Sequence, residues 1–223
     1  FELQFDAQRL NPYYPMFSSS IPSRRWIMAS DIIDRVFTLD LTNNLNYDIR
    51  ADGASVRAAT TTIWKYVGAN STSLRAIDQS YAHWFFYRYA DILMLKAEAL
   101  NETGQGQAAL DLVYTIRRRA NALAATDLAP APTDKNLIQE FILQERSREF
   151  AFEGKRWFDV LRNAKRNNYQ RLSLLLNMVA ISVPSNMQQS AQAKMQDKNA
   201  HYLPIYIYEL QTNKLLVQNP FYR

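Results

Sequence analysis

The chain has 223 residues, 26 basic against 21 acidic side chains, a net charge of +5, 13% aromatics and no cysteine. Its length allows one large domain or two small ones, and a hydrophobic fraction of 48% excludes an intrinsically disordered chain. Without thiols there are no disulfides, thiolate nucleophiles or cysteine metal sites, and a mild basic excess with no reading motif argues against nucleic acid as a partner.

Residues 1–86 read as irregular. Pro12, Pro15 and Pro22 fall among Asn11, Tyr13, Tyr14 and the serines 18–20, which is turn chemistry. A short helix is expected over residues 30–37, with Ser30 as its cap and Ile32, Ile33, Val36 and Phe37 as its apolar side. Residues 60–67 alternate and are β-branched, so they read as a short strand or extended segment. Long irregular stretches of this kind carry function or belong against a larger partner domain.

From Tyr87 the texture becomes helical, and residues 87–223 read as a scaffold packed as one domain with 1–86. Tyr89, Leu93, Ala97 and Leu100 recur at helical spacing, and Gly104 supplies a left-handed stop. Ala109, Leu112, Val113, Ile116, Ala120 and Leu123 mark a second helix, and the short Gly104–Gly106 link makes the two an antiparallel hairpin. Pro130 and Pro132 break the chain, and Thr133 or Asp134 caps a third helix. That helix carries Leu137, Ile138, Phe141, Ile142 and Phe152 inward and ends at Gly154. A fourth, from about Lys155, buries Trp157, Phe158, Val160, Leu161 and Ala164. The two hairpins are tetratricopeptide-like, although Gly104 and Gly154 lie further apart than one regular repeat. An apolar stretch over 172–183 is too short, and too interrupted by Ser173, Asn177 and Ser182, to span a membrane. Residues 188–198 read as an exposed helix or loop, and 201–223 as an extended tail across the helices.

The densest polar cluster contains Glu145, Glu149, Glu153, Arg156 and Asp159. The three glutamates share one helix face at i, i+4 and i+8. Paired carboxylates serve glycoside hydrolysis. The stronger reading is an ion-pair network in which arginines of the neighbouring helix lock the hairpin. Asp91 and Glu98 read likewise as inter-helix pairs. His83 and His201 have no companions at metal-ligand spacing, the five glycines form no phosphate loop, and no serine sits in a nucleophile elbow. No catalytic site, metal or cofactor is implied. Tyr13, Tyr14 and Trp26, aromatics on a loop, are the candidate ligand contacts, with Asn11 and Arg24 as polar neighbours.

Several ordered motifs carry a family resemblance: YRYADILMLKAEALNE at 87–102, IRRRA at 116–120, ERSREFAFEGKRWFDVLR at 145–162, and a closing Tyr202-Leu203-Pro204-Ile205, Glu209-Leu210, Gln218-Asn219-Pro220. Tyr47-Asp48-Ile49-Arg50 and Lys65-Tyr66 are weaker signposts in the same order. Together they resemble the C-terminal part of the SusD/RagB family, with Tyr206 and Phe221 departing from its closing pattern. The resemblance implies a mainly α, non-enzymatic outer-membrane lipoprotein of Bacteroidetes. Such a protein captures glycans, or peptides in the RagB branch, above a SusC-like TonB-dependent transporter. It also implies a lipid anchor and an N-terminal half that are not among these residues. A plain helical scaffold with only a protein partner is the remaining alternative.

Overall fold

The computed structural model describes residues 1–30, 37, 48–122 and 129–223, and this described chain is mainly helical. It divides into two units, Phe1–Arg156 and Trp157–Arg223.

In the first unit a three-helix core is built from α2 (Tyr89–Glu102), α3 (Gly106–Arg119) and α4 (Lys135–Glu149). The buried face of α2 is Ala90, Met94 and Ala97, at i, i+4 and i+7, packed on Ala109, Leu110, Val113 and Ile116 of α3 and Ile138, Phe141 and Ile142 of α4. Tyr89 and Leu137, expected inside, are exposed. Gly104 takes φ +79° after α2, as the short link requires, and the Gln105 amide closes the turn on the Leu100 carbonyl. Asp134 caps α4, its side chain accepting from the Leu137 amide at 3.0 Å.

The third helix is shorter than its sequence suggests. It stops at Glu149, and Phe152 leaves helical geometry with φ +65°. The carbonyls freed there are taken by side chains: Lys65 Nζ donates to Ala151 O at 2.9 Å and Tyr66 Oη to Phe152 O at 3.0 Å. Phe152 then packs against the other core of the unit instead of the helical one.

That other core is made by the irregular N-terminal segment. It joins Tyr14 and Phe17 of the one-turn helix α1 (Tyr14–Phe17) to Val56, Ile63, Trp64, Tyr66 and Val67. Regular strand is sparse. β1 (Glu2–Leu3) pairs antiparallel with β4 (Trp84–Phe85), and β2 (Val56–Arg57) with β3 (Thr62–Ile63). Of the strand expected over 60–67 only Thr62–Ile63 forms, because Thr61 turns left-handed at φ +50° and a 3-10 turn follows over Trp64–Tyr66. The helix expected over 30–37 lies outside the described residues, apart from Ser30, which is exposed, and Phe37, which is buried.

The second unit contains α5 (Arg156–Tyr169), entered from the first unit's last residue, then α6 (Leu172–Ser182), α7 (Gln188–Met195) and α8 (Ile207–Thr212). Regular helix in α5 ends before Arg166 (ψ 144°), after which Asn167, Asn168 and Tyr169 are all left-handed. Asparagine tolerates that region better than most residues. Val160, Leu161 and Ala164 are buried as expected, whereas Phe158 faces solvent. The tail is less extended than its prolines suggest: α8 and 3-10 turns at Lys198–His201 and Pro220–Tyr222 interrupt it. The Gln218 side chain ties it together by bonding both the amide and the carbonyl of Ile205.

Candidate functional site

The acidic row is fully engaged, but only Glu145 and Glu149 lie on α4; Glu153 follows its end, so the three do not share one helix face. Glu145, 0% exposed, accepts from Arg50 at 2.7 Å, Arg117 at 2.8 Å and Arg148 at 3.0 Å. Glu149 accepts from Arg50, Arg88 and Arg119, and Glu153 from Lys65 and Arg88. Burial alone would raise the Glu145 carboxyl, but the Arg148, Arg50 and Arg117 guanidinium groups outweigh it and hold the group at about 2. Burial also pushes the Lys65 ammonium below its ordinary value, against the opposing pull of Glu153. A carboxylate held ionised at this level is a poor general acid.

The partners differ from those the sequence suggested. They come from residues 50 and 65 of the irregular segment, from Arg88 at the start of α2 and from α3, with Arg148 on α4 itself, so the row clamps loops onto the helices. Arg156 donates to the Leu143 carbonyl, and Asp159 pairs with Arg162. Asp91 and Glu98 face Arg146 at 3.6 and 3.8 Å, and Asp91 also meets Lys155 at 3.0 Å. Among the described residues no three potential metal ligands converge, and no helix is long and apolar enough to cross a membrane.

The ligand candidates separate. Tyr14 is 1% exposed, its ring in the N-terminal core and its hydroxyl donating to the Arg75 carbonyl at 2.6 Å. It is structural, and its buried face has no surface to offer a ligand. Tyr13 is 41% exposed and lines a cleft of about 360 Å³ with Met16, Phe17, Ile27, Trp84 and Phe86. Trp26 is 75% exposed and stands outside that lining, but its amide and that of Ile27 both donate to the Met16 carbonyl, so it is fixed at the cleft's margin. Trp84 is the keystone. Its ring lies 5.3 Å from Tyr13 and stacks on Tyr66 at 4.8 Å and 16°. Alternation on the short β4 segment puts Trp84 and Phe86 on the cleft side and Phe85 on the other.

The sequence shows Trp84, Phe85 and Phe86 as an aromatic run. What it does not show is that pairing of Leu3 with Trp84 brings the run beside residue 13. That pairing spans some eighty residues and rests on two strand pairs, too little for pattern reading to register.

A model of the SusD family matches residues 26–222. The chain belongs to the SusD family. Two curated relatives come from Formosa agariphila. SusD-like protein P38 is 44% identical over 84 residues, 35% of this chain and 16% of that protein. SusD-like protein P2 is 35% identical over 104 residues, 44% of this chain and 20% of that protein. The matched region is thus a fifth or less of each relative's length. Among solved structures, a SusD superfamily protein of Bacteroides vulgatus superposes with a TM-score of 0.59 at 20% identity, over 86% of this chain and 43% of that one. One from Bacteroides thetaiotaomicron gives 0.54 at 19% identity, over 87% and 38%. At these identities the likeness establishes the fold. The SusD family is a family of binding proteins, not of enzymes.

Proposed function

We propose that this SusD-family chain captures nutrient glycans at the cell surface for uptake through a partner SusC-like TonB-dependent transporter, its host protein held at the outer membrane by a lipid anchor. The observation that carries the ligand part is the aromatic cleft. Tyr13, Trp84 and Phe86 line one concavity, and Trp84 is stacked on the core ring Tyr66, so the platform is stiff before a ligand arrives. The apolar C–H faces of a sugar ring lie flat on such rings, and a fixed platform loses little conformational entropy on binding.

A second reading has its own support. The Tyr13 hydroxyl and Trp84 indole N–H are the polar side-chain groups of the cleft wall, a composition that also suits an apolar peptide side chain. Tryptophan-fluorescence titration against soluble polysaccharides, oligosaccharides and mixed oligopeptides separates the two. Glycan capture predicts a saturable change with one class of glycan, weakened by Phe86→Ala and by Tyr13→Ala. Saturation by oligopeptides alone would favour the second reading, and silence from every ligand would refute both for this cleft.

A further inference from the structure

The aromatic cleft has hydrogen-bonding groups on one side only. Among the described residues no charged side chain lines it, and its polar side-chain atoms are the Tyr13 hydroxyl and the Trp84 indole N–H. Both belong to the ring side, where Tyr13 and Trp84 lie 5.3 Å apart. Neither group has a hydrogen-bond partner among the described residues, so each can serve one hydroxyl of a ligand.

The rest of the wall is aliphatic. Met16 and Ile27 face the cleft, and Leu3 joins them from the strand paired with Trp84. The backbone at Met16 is spent as well. Its carbonyl accepts from the Trp26 amide at 3.1 Å and the Ile27 amide at 3.0 Å, which occupies both lone pairs, and its own amide donates to the Tyr13 carbonyl at 3.0 Å. A ligand hydroxyl set against Met16 and Ile27 therefore gives up water and meets no partner, whereas a methyl group there gains apolar burial. A hexopyranose has one carbon outside its ring, C6. That carbon bears a hydroxyl in ordinary hexoses and is a methyl group in 6-deoxyhexoses.

We propose that the sugar taken by this cleft is a 6-deoxyhexose, its ring on Trp84 and its C6 methyl seated against Met16 and Ile27. The proposal rests on the glycan reading above and names the class of sugar within it. An apolar pocket rejects a ligand that differs by one added hydroxyl by up to about a hundredfold. Ile27 is 39% exposed, so water reaches part of this wall and a preference of about tenfold is expected.

The test is tryptophan-fluorescence titration of the intact chain with matched pairs of methyl glycosides: D-fucose with D-galactose, D-quinovose with D-glucose, and L-rhamnose with L-mannose. Within each pair the sugars differ in the C6 hydroxyl alone. Saturable binding in at least one pair, about tenfold tighter for the deoxy member, is the expected result. Ile27→Asn puts an amide where the methyl sits and should bring that pair to near parity, while Ile27→Val should keep the preference. A side chain that only supported the fold would weaken both members alike, and that outcome would overturn the placement. Equal or tighter binding of the hydroxymethyl member in every pair, or no binding by any of these sugars, would overturn the proposal. Soluble polysaccharides and oligopeptides are titrated alongside. Saturation by a polysaccharide with no deoxy preference in the pairs would remove this inference and leave glycan capture standing, and a response to oligopeptides alone would remove both.

Discussion

Replacing Glu145 by glutamine tests whether the acidic row holds the fold. The carboxylate is fully buried and each oxygen is committed: Oε1 to Arg50, Oε2 to Arg117 and Arg148. Glutamine keeps the shape but turns one of these acceptors into a donor facing a guanidinium, and it removes the Glu145 charge from beside Arg117, itself fully buried. Removing one partner of a buried pair costs about 3–5 kcal/mol. Proton linkage gives a second route to the magnitude. The carboxyl falls from 4.5 to about 2 on folding, a difference on the order of 3 kcal/mol in favour of the ionised form. Because the folded value lies below the unfolded one, this stabilisation is fully present above about pH 4.5 and is lost as pH falls through about 2. Glu145→Gln should therefore lower the melting temperature by about 10 °C near pH 7, at roughly 2–4 °C per kcal/mol for a chain of this size. The gap to the wild type should narrow as the pH is lowered toward 2. Urea unfolding followed by circular dichroism at a series of pH values measures both effects. A loss under about 1 kcal/mol at pH 7, or a gap that does not narrow in acid, would refute the account, since breaking a buried ion pair costs several times more.

Tyr14→Phe deletes a hydroxyl bonded at 2.6 Å to the Arg75 carbonyl and should cost about 1 kcal/mol in denaturant unfolding, with ligand titrations unchanged. Trp26→Ala, at an exposed position, should leave stability within about 0.5 kcal/mol, and any effect on glycan titration then reports contact at the cleft margin. The glycines of the α2–α3 link should behave differently. A Cβ at Gly104 meets nothing within 4 Å, so Gly104→Ala carries only the left-handed backbone cost, about 1–2 kcal/mol. A Cβ at Gly106 would run into the Pro132 carbonyl oxygen, so Gly106→Ala should cost more, and thermal melts of the two variants side by side give the order.

The helical part of this fold is legible from the sequence because its information is local. The 3.6-residue period, the Gly104 stop and the Asp134 cap each act within a few residues, and all three appear in the structure. The errors have physical reasons. Tyr89 and Leu137 are apolar residues at the edge of a buried stripe, where composition does not decide which side of the helix turns inward. The end of α4 is set by Lys65 and Tyr66, which take carbonyls that would otherwise continue the helix, and nothing within residues 145–154 announces those partners. In the same way Tyr13 could be picked out as a loop aromatic, while its companions Trp84 and Phe86 arrive only through the β1·β4 pairing. Tyr14, its immediate neighbour, falls inside because successive residues of a helical turn point about 100° apart.

These long-range contacts also explain why so irregular a segment can present a stiff aromatic surface. Loops and two-residue strands hold few backbone bonds of their own, and a two-stranded ribbon is marginal in water. Here the segment is pinned at several points to one short stretch of chain. Arg50 reaches Glu145 and Glu149, Lys65 reaches Glu153 and the Ala151 carbonyl, Tyr66 reaches the Phe152 carbonyl, and Arg88 reaches Glu149 and Glu153. Tyr66 belongs to both systems, its hydroxyl in the anchor and its ring under Trp84. The motif at residues 145–154 therefore acts on the aromatic cleft indirectly. It holds the floor on which Trp84 rests, so loosening Glu153 or the Phe152 turn should disturb the aromatic platform without touching any residue that lines it.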